Sequence, residues 1–154
     1  CLRAAIGRRL ARFGVQLFLE PGEASITRST SLEVTVLDLI HNGKDVAIVD
    51  SSIEAHMLDL LIYRETAKLP QDGDHAYQIA GKTCLAGDIF GEGRFPQPLQ
   101  IGDRISIADA AGYTMVKKNW FNGVAMPSIA LRAEDGTIRE VRRFSYDDYK
   151  SSLS

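Results

Sequence analysis

From Leu32 to Ile40 two sets of residues interleave. Leu32, Val34, Val36, Asp38 and Ile40 form one set, and Glu33, Thr35, Leu37 and Leu39 the other. A period of two is the pattern of a β-strand, whose successive side chains point to opposite faces. Asn42-Gly43 follows. Asn-Gly between two apolar runs is a strong hairpin signal, because both residues accept the positive φ of a tight turn. Val46-Ala47-Ile48-Val49 then reads as the returning strand. Tyr77 to Ala80, Asp103 to Ile107 and Tyr113 to Val116 read as further strands. Ser128 to Arg132 and Thr137 to Val141 form a hairpin around Asp135-Gly136. Between them, residues 53–61 suit a short helical turn. Residues 145–151 suit a terminal helix with Ser145 as its N-cap. Residues 64–75, with Pro70 and Asp72-Gly73, and residues 91–98, with two glycines and two prolines, read as loops.

The beginning of the chain has a different pattern. Leu2, Ile6, Leu10 and Phe13 fall on one stripe of a helix over residues 1–13, with four arginines mainly on the other faces. Gly14 is placed to end it. Val15-Gln16-Leu17-Phe18-Leu19 is nearly all apolar, which suits a parallel strand covered on both faces. One αβ unit is thus followed by six or seven antiparallel strands, and the two do not belong to one layer architecture. The expected fold is mainly β. Residues 1–22 are the last helix-strand unit of a (β/α)8 barrel, and residues 23–154 are a C-terminal antiparallel β-barrel or sandwich domain. The chain starts at Cys1 already in periodic sequence, and it reads as a piece of a longer protein.

Composition narrows the function classes. The 154 residues suffice for one domain with a core, and 45% hydrophobic with 25% charged residues is ordinary for a soluble protein. A net charge of −2 offers no basic field for nucleic acid. No apolar run is long enough to cross a bilayer, and Arg3, Arg8, Arg9 and Arg12 break up any signal-peptide core. Cys1 and Cys84 do not make a disulfide framework, so a reduced, cytoplasmic protein is expected. His41, His56 and His75 lack ligand spacing, and no metal site is expected.

Candidate chemistry concentrates in Gly81-Lys82-Thr83-Cys84-Leu85-Ala86-Gly87-Asp88, a glycine-bounded turn that carries a thiol and an acid between apolar strands. A single cysteine in a β-rich domain also serves as a small buried hydrophobe. Residues alone leave both readings open.

Three runs carry a resemblance: Glu20-Pro21-Gly22, Cys84-Leu85-Ala86-Gly87-Asp88, and Tyr113 to Gly123 with Met126-Pro127-Ser128-Ile129 after it. With them the chain resembles the C-terminal part of the fold-type III, alanine-racemase-like pyridoxal-phosphate (PLP) decarboxylases. The run from Tyr113 matches their carboxynorspermidine/carboxyspermidine branch. The resemblance implies PLP as cofactor and a homodimer with shared active sites. It implies that Glu20 contacts the cofactor's pyridine nitrogen, where a negative charge keeps the ring protonated as an electron sink. Gly22 would let the backbone pass close to the cofactor. Tyr113 would donate a hydrogen bond to its phosphate. Cys84 would enter the partner subunit's site and return a proton to Cα after CO2 leaves, a task suited to a group that ionises near neutral pH. Asp88 would face substrate amine or water. Leu85 stands where the diaminopimelate branch has Glu, which argues against diaminopimelate as substrate; the Asp that ornithine-type enzymes have there is absent too. Glu23 stands where related branches often have Arg. The Schiff-base lysine of the family lies near the start of the barrel and is not matched by Lys117 or Lys118.

The expected activity is therefore decarboxylation of carboxynorspermidine or carboxyspermidine to norspermidine or spermidine, in polyamine synthesis. Two alternatives remain open. One is another basic amino-acid decarboxylase of the same fold. The other is a non-catalytic β-barrel module that binds a small ligand or a protein.

Overall fold

The computed structural model describes residues 7, 10, 13–16 and 18–153. Most of the helix expected over residues 1–13 lies outside them. The described positions of the expected strand, 15, 16, 18 and 19, have no ladder partner and are exposed.

The centre of the molecule is a five-stranded sheet curled into a half-barrel. Its strands are β1 (Leu32–His41), β2 (Asp45–Val49), β3 (His75–Ala80), β4 (Ile89–Phe95) and β5 (Arg104–Ile107), in the order β4-β3-β2-β1-β5. The mainly β class expected from the alternation is the class observed. The Asn42-Gly43 signal is also correct: β1 and β2 pair as a hairpin that ends at His41↔Asp45.

Within β1 the alternation holds only part of the way. Leu32, Val34 and Val36 are buried, but a bulge shifts the register between Val36 and Asp38. A one-residue shift moves every later side chain to the other face. Leu39 now packs on the core, while Leu37 and Ile40 are exposed.

Three expectations need correction. The strands are not all antiparallel, because β2 and β3 run parallel with Ala47 opposite Ile79. The long connection between them holds α1 (Ile53–His56) and α2 (Leu58–Tyr63). A helical crossover of this length returns the chain in the same direction. Second, residues 91–95 are strand, not loop. The glycines there reflect crowding: a Cβ at Gly93 would sit 2.9 Å from Cζ of Phe95, and one at Gly91 would sit 3.3 Å from Cβ of Thr66. Third, Tyr113 to Val116 is not a strand but part of α3 (Tyr113–Lys117). Here a tertiary contact overrides β-propensity. The buried Thr114 hydroxyl donates to Oδ2 of Asp59 on α2 at 2.7 Å.

The core lies where the curled sheet meets α1. Val34, Val36, Ala47, Val49, Ile79, Phe90, Ile105 and Ile107 come from the sheet, and Ile53 and Met57 from the helical connection. A separate hairpin of β6 (Ile129–Arg132) and β7 (Ile138–Arg142) follows, then α4 (Tyr146–Ser151). Ser145 caps α4 as expected, in a capping box with Asp148. Trp120 packs against Phe144 and Tyr149, with ring centroids 6.2 and 5.6 Å away, and so ties this end to the rest.

Beside the core, the Ser51 hydroxyl and Nδ1 of the buried His56 lie 2.7 Å apart, and Nε2 of His56 has no hydrogen-bond partner among the described residues. Burial pushes His56 down to about 4; Asp50 and Asp88 oppose this, and Lys82 and Lys118 reinforce it. The folded chain therefore stays unprotonated at His56 where the unfolded chain takes up a proton. This stabilisation is complete above the ordinary histidine value and is lost as pH falls from about 6.5 towards 4. Denaturant titrations over that window should show a loss of up to about 3 kcal/mol. In His56→Asn the slope between those pH values should flatten. An unchanged slope would remove His56 as its source.

Candidate functional site

The loop of residues 81–88 joins β3 to β4, and its shape is set by the acid at its end. Asp88 is buried, at 5% exposure. Its Oδ1 accepts the Ile53 N–H of α1 at 2.8 Å. Its Oδ2 accepts the Thr83 N–H at 3.0 Å and the Thr83 hydroxyl. The main chain closes the same turn: Gly81 N–H donates to the Asp88 carbonyl at 2.8 Å, and Lys82 N–H donates to the Ser51 carbonyl at 3.0 Å. Gly81 is required by this wrapping, since a Cβ there would lie 2.3 Å from Oδ2 of Asp88. The expectation that Asp88 faces substrate or water is not what the structure shows. Its carboxylate is turned inward because three donors converge on it.

Cys84, by contrast, is exposed at the tip of the loop. Its Sγ lies 3.5 Å from Oδ1 and 3.6 Å from Nδ2 of Asn122. Asn122 comes from the segment that begins with α3. That segment docks on the same α1 that Asp88 holds: Asn119 N–H donates to the Ala55 carbonyl at 2.7 Å, and Nδ2 of Asn119 donates to the Glu54 carbonyl at 2.9 Å. Oδ1 of Asn119 then accepts the Phe121 N–H at 2.7 Å and sets the turn on which Asn122 sits. Glu54, between these groups, has its carboxyl raised above the ordinary range. Burial is the main cause, then the negative charge of Asp88, with the Asn119 hydrogen bond opposing.

Glu20, Gly22 and Tyr113 form a second group. Glu20 and Gly22 are exposed in irregular chain just before the 3-10 turn Glu23–Ser25. Nothing in the described structure lies within 4 Å of where a Cβ on Gly22 would be. Glu23 folds back onto Gly112, the residue before Tyr113: a Cβ at Gly112 would meet Oε1 of Glu23 at 2.9 Å. The Pro21-Gly22 turn is thereby drawn towards the start of α3. Tyr113 is 51% exposed, and its ring lies 4.8 Å from Nζ of Lys117.

A cleft of about 390 Å3 lies beyond Glu23, lined by Asp59, Glu65, Lys68, Asp109 and Thr114 among others. A hydrogen bond from Lys68 chiefly, then one from the Arg28 N–H, hold Asp109 down at about 2. Glu23 also lines this cleft, whereas Glu20, Gly22, Cys84, Asp88 and Tyr113 do not. Among the described residues no group of three or more His, Cys, Asp or Glu is placed to hold a metal ion.

Sequence reasoning missed Thr83, which shapes the loop, and Asn122, which touches the thiol. The available signal was Asn122-Gly123, the same dipeptide as the hairpin signal at Asn42-Gly43. Its pairing with Cys84, across 38 positions of sequence, had no local signal.

Comparison with known proteins gives a consistent result. The family model for the pyridoxal-dependent decarboxylase C-terminal sheet domain matches residues 28–111. The carboxynorspermidine/carboxyspermidine decarboxylase of Herminiimonas arsenicoxydans is 68% identical over 97% of this chain and 42% of its own length. The carboxyaminopropylagmatine decarboxylase of Synechocystis is 42% identical over 90% of this chain and 38% of its own. The crystal structure of carboxynorspermidine decarboxylase from Campylobacter jejuni, complexed with norspermidine, superposes with a TM-score of 0.82 at 36% identity, covering 97% of this chain and 45% of that one. The chain thus spans about two fifths of the length of the curated relatives it matches. With the curled sheet at its centre and the family match running across all five of its strands, the chain belongs to the pyridoxal-dependent decarboxylases, as their C-terminal sheet domain.

Proposed function

We propose that this chain is the C-terminal part of an enzyme that decarboxylates carboxynorspermidine or carboxyspermidine to norspermidine or spermidine. The observation that carries this reading is the 68% identity to the Herminiimonas enzyme along nearly the whole chain. Residues 1–22 then belong to the PLP-binding barrel and residues 23–154 to the sheet domain. The enzyme acts in the cytoplasm as a homodimer whose subunits share their active sites.

The residues present fit the cofactor. Glu20 offers an exposed carboxylate, Gly22 has open space beside it, and the half-exposed Tyr113 stands near the same turn. In this reading Glu20 holds the pyridine nitrogen, Gly22 permits close approach, and Tyr113 holds the phosphate. When bound, PLP supplies the electron sink for the charge left at Cα as CO2 departs. Cys84 supplies the proton: its S–H bond breaks, a C–H bond forms at Cα, and the electron pair stays on sulfur. An exposed thiol on a loop tip suits a group offered to the partner subunit's site. Asp88 acts at the base of that loop. It sets the position at which Cys84, and any water or amine near it, meets substrate.

Four measurements test this on the enzyme extended to the length of its relatives. With PLP it should show absorbance near the visible edge that borohydride abolishes. It should release CO2 from carboxynorspermidine faster than from carboxyaminopropylagmatine, lysine, ornithine or diaminopimelate. Absence of both would end the enzyme reading, and a preference for one of the others would move the substrate. Cys84→Ala should lower kcat by about 10²-fold with little change in KM; a change in KM alone contradicts proton delivery. Asp88→Ala strands three donors and should cost about 2–3 kcal/mol in denaturant unfolding. A variant of full stability and raised KM would instead make Asp88 a direct substrate ligand.

A further inference from the structure

The contact between Cys84 and Asn122 extends the proposed function and rests on it. An amide is unusual among side chains in offering an acceptor and a donor side by side. Both are at the sulfur here, Oδ1 at 3.5 Å and Nδ2 at 3.6 Å. Among the described residues no other side chain is hydrogen-bonded to Sγ.

We propose that Asn122 is a positioning residue for proton delivery, holding Cys84 in both of its protonation states. Before the transfer, Oδ1 accepts from the S–H and fixes its direction. After the transfer the sulfur carries the electron pair and a negative charge, and Nδ2 donates to it. A hydrogen bond to a charged acceptor is stronger than one to a neutral acceptor, so the amide favours the thiolate more than it favours the thiol. It therefore eases release of the proton without itself gaining or losing one.

The backbone supports this assignment. Asn122 sits at φ 53° and ψ 16°, inside the 3-10 turn Phe121–Gly123. This left-handed region admits Gly freely and Asn or Asp with little cost, but penalises other side chains. The turn is held independently of the sulfur, by Asn119 to Phe121 and by Gly123 N–H to the Trp120 carbonyl at 2.8 Å. The amide is thus presented to Cys84 by a frame that would persist without it.

The same geometry selects the variants. Asn122→Gly keeps the backbone and removes the amide. Asn122→Asp keeps the shape and backbone tolerance but replaces the donor with a negative oxygen. The charged residues carried by these elements, Lys82 and Asp88 on the loop, Glu54 on α1, and Lys117 and Lys118 on the docking segment, are common to all forms and cancel in comparison.

The test uses the PLP-loaded full-length enzyme. Its first readout is the rate of iodoacetamide alkylation at the Cys84 peptide, followed by mass spectrometry from about pH 6 to 10, the range in which thiols ionise. Asn122→Gly should slow the alkylation about threefold in the lower half of that range, and Asn122→Asp should slow it further. The second readout is kinetic: Asn122→Gly should lower kcat about three- to tenfold with KM nearly unchanged. Should Asn122→Gly fail to fold by circular dichroism, the Asn122→Asp profile decides alone. A profile that superposes on the parent's overturns the proposal. Failure of the underlying reading is distinguishable, because it shows as a Cys84→Ala variant with undiminished kcat, whatever the alkylation profiles do.

Discussion

One buried carboxylate sets the geometry on which the candidate site depends. Asp88 draws together the first turn of α1 and the start of its own loop. Each hydrogen bond to a charged oxygen contributes about 1.5–3 kcal/mol, and a carboxylate taken out of water without them would be very unfavourable. The bonds therefore act together: with all of them made the loop has one conformation, and with any removed a charge is left poorly paired. The exposed thiol at the tip inherits this rigidity. A flexible loop would have to give up conformational entropy each time it met a substrate, and a preorganised one has already given it up on folding.

The short helix α1 is the meeting point of the architecture. It exists because the parallel pairing of β2 and β3 requires a crossover, and the crossover has to pack on the sheet. The Ile53 side chain fills the core, the Ile53 N–H donates to Asp88, and the Glu54 and Ala55 carbonyls receive Asn119. Two stretches distant in sequence, 81–88 and 113–123, are thereby fixed relative to one another. The position of Asn122 against Cys84 follows from two dockings on one scaffold, not from a direct link between the stretches.

Local chemistry was legible where it was self-contained. The Asn42-Gly43 hairpin, the Ser145 cap and the alternation as far as Val36 needed only neighbouring residues, and each is present. What failed were features decided by distant partners. Residues Tyr113 to Val116 are helical because Thr114 reaches Asp59. Gly91 and Gly93 read as loop residues, but they are glycines inside a strand because Thr66 and Phe95 leave little room for a side chain there. The β1 bulge reverses the face of residues that fit the pattern perfectly well. The same division holds at the site. The thiol-and-acid turn stood out as a motif, and the helical turn expected over residues 53–61 is present, but nothing local showed that the acid and the segment carrying the amide both dock on it.

The mount of the thiol is assembled from residues 51–88 alone, whereas its amide partner comes from residue 122. Proteins are made from the N-terminus onward at roughly 5–20 residues per second. The loop that carries Cys84 can thus take shape at the ribosome surface seconds before Asn122 has emerged. During that interval the sulfur lacks the amide that favours its thiolate, so oxidation at this position becomes a hazard of the finished fold more than of the nascent chain.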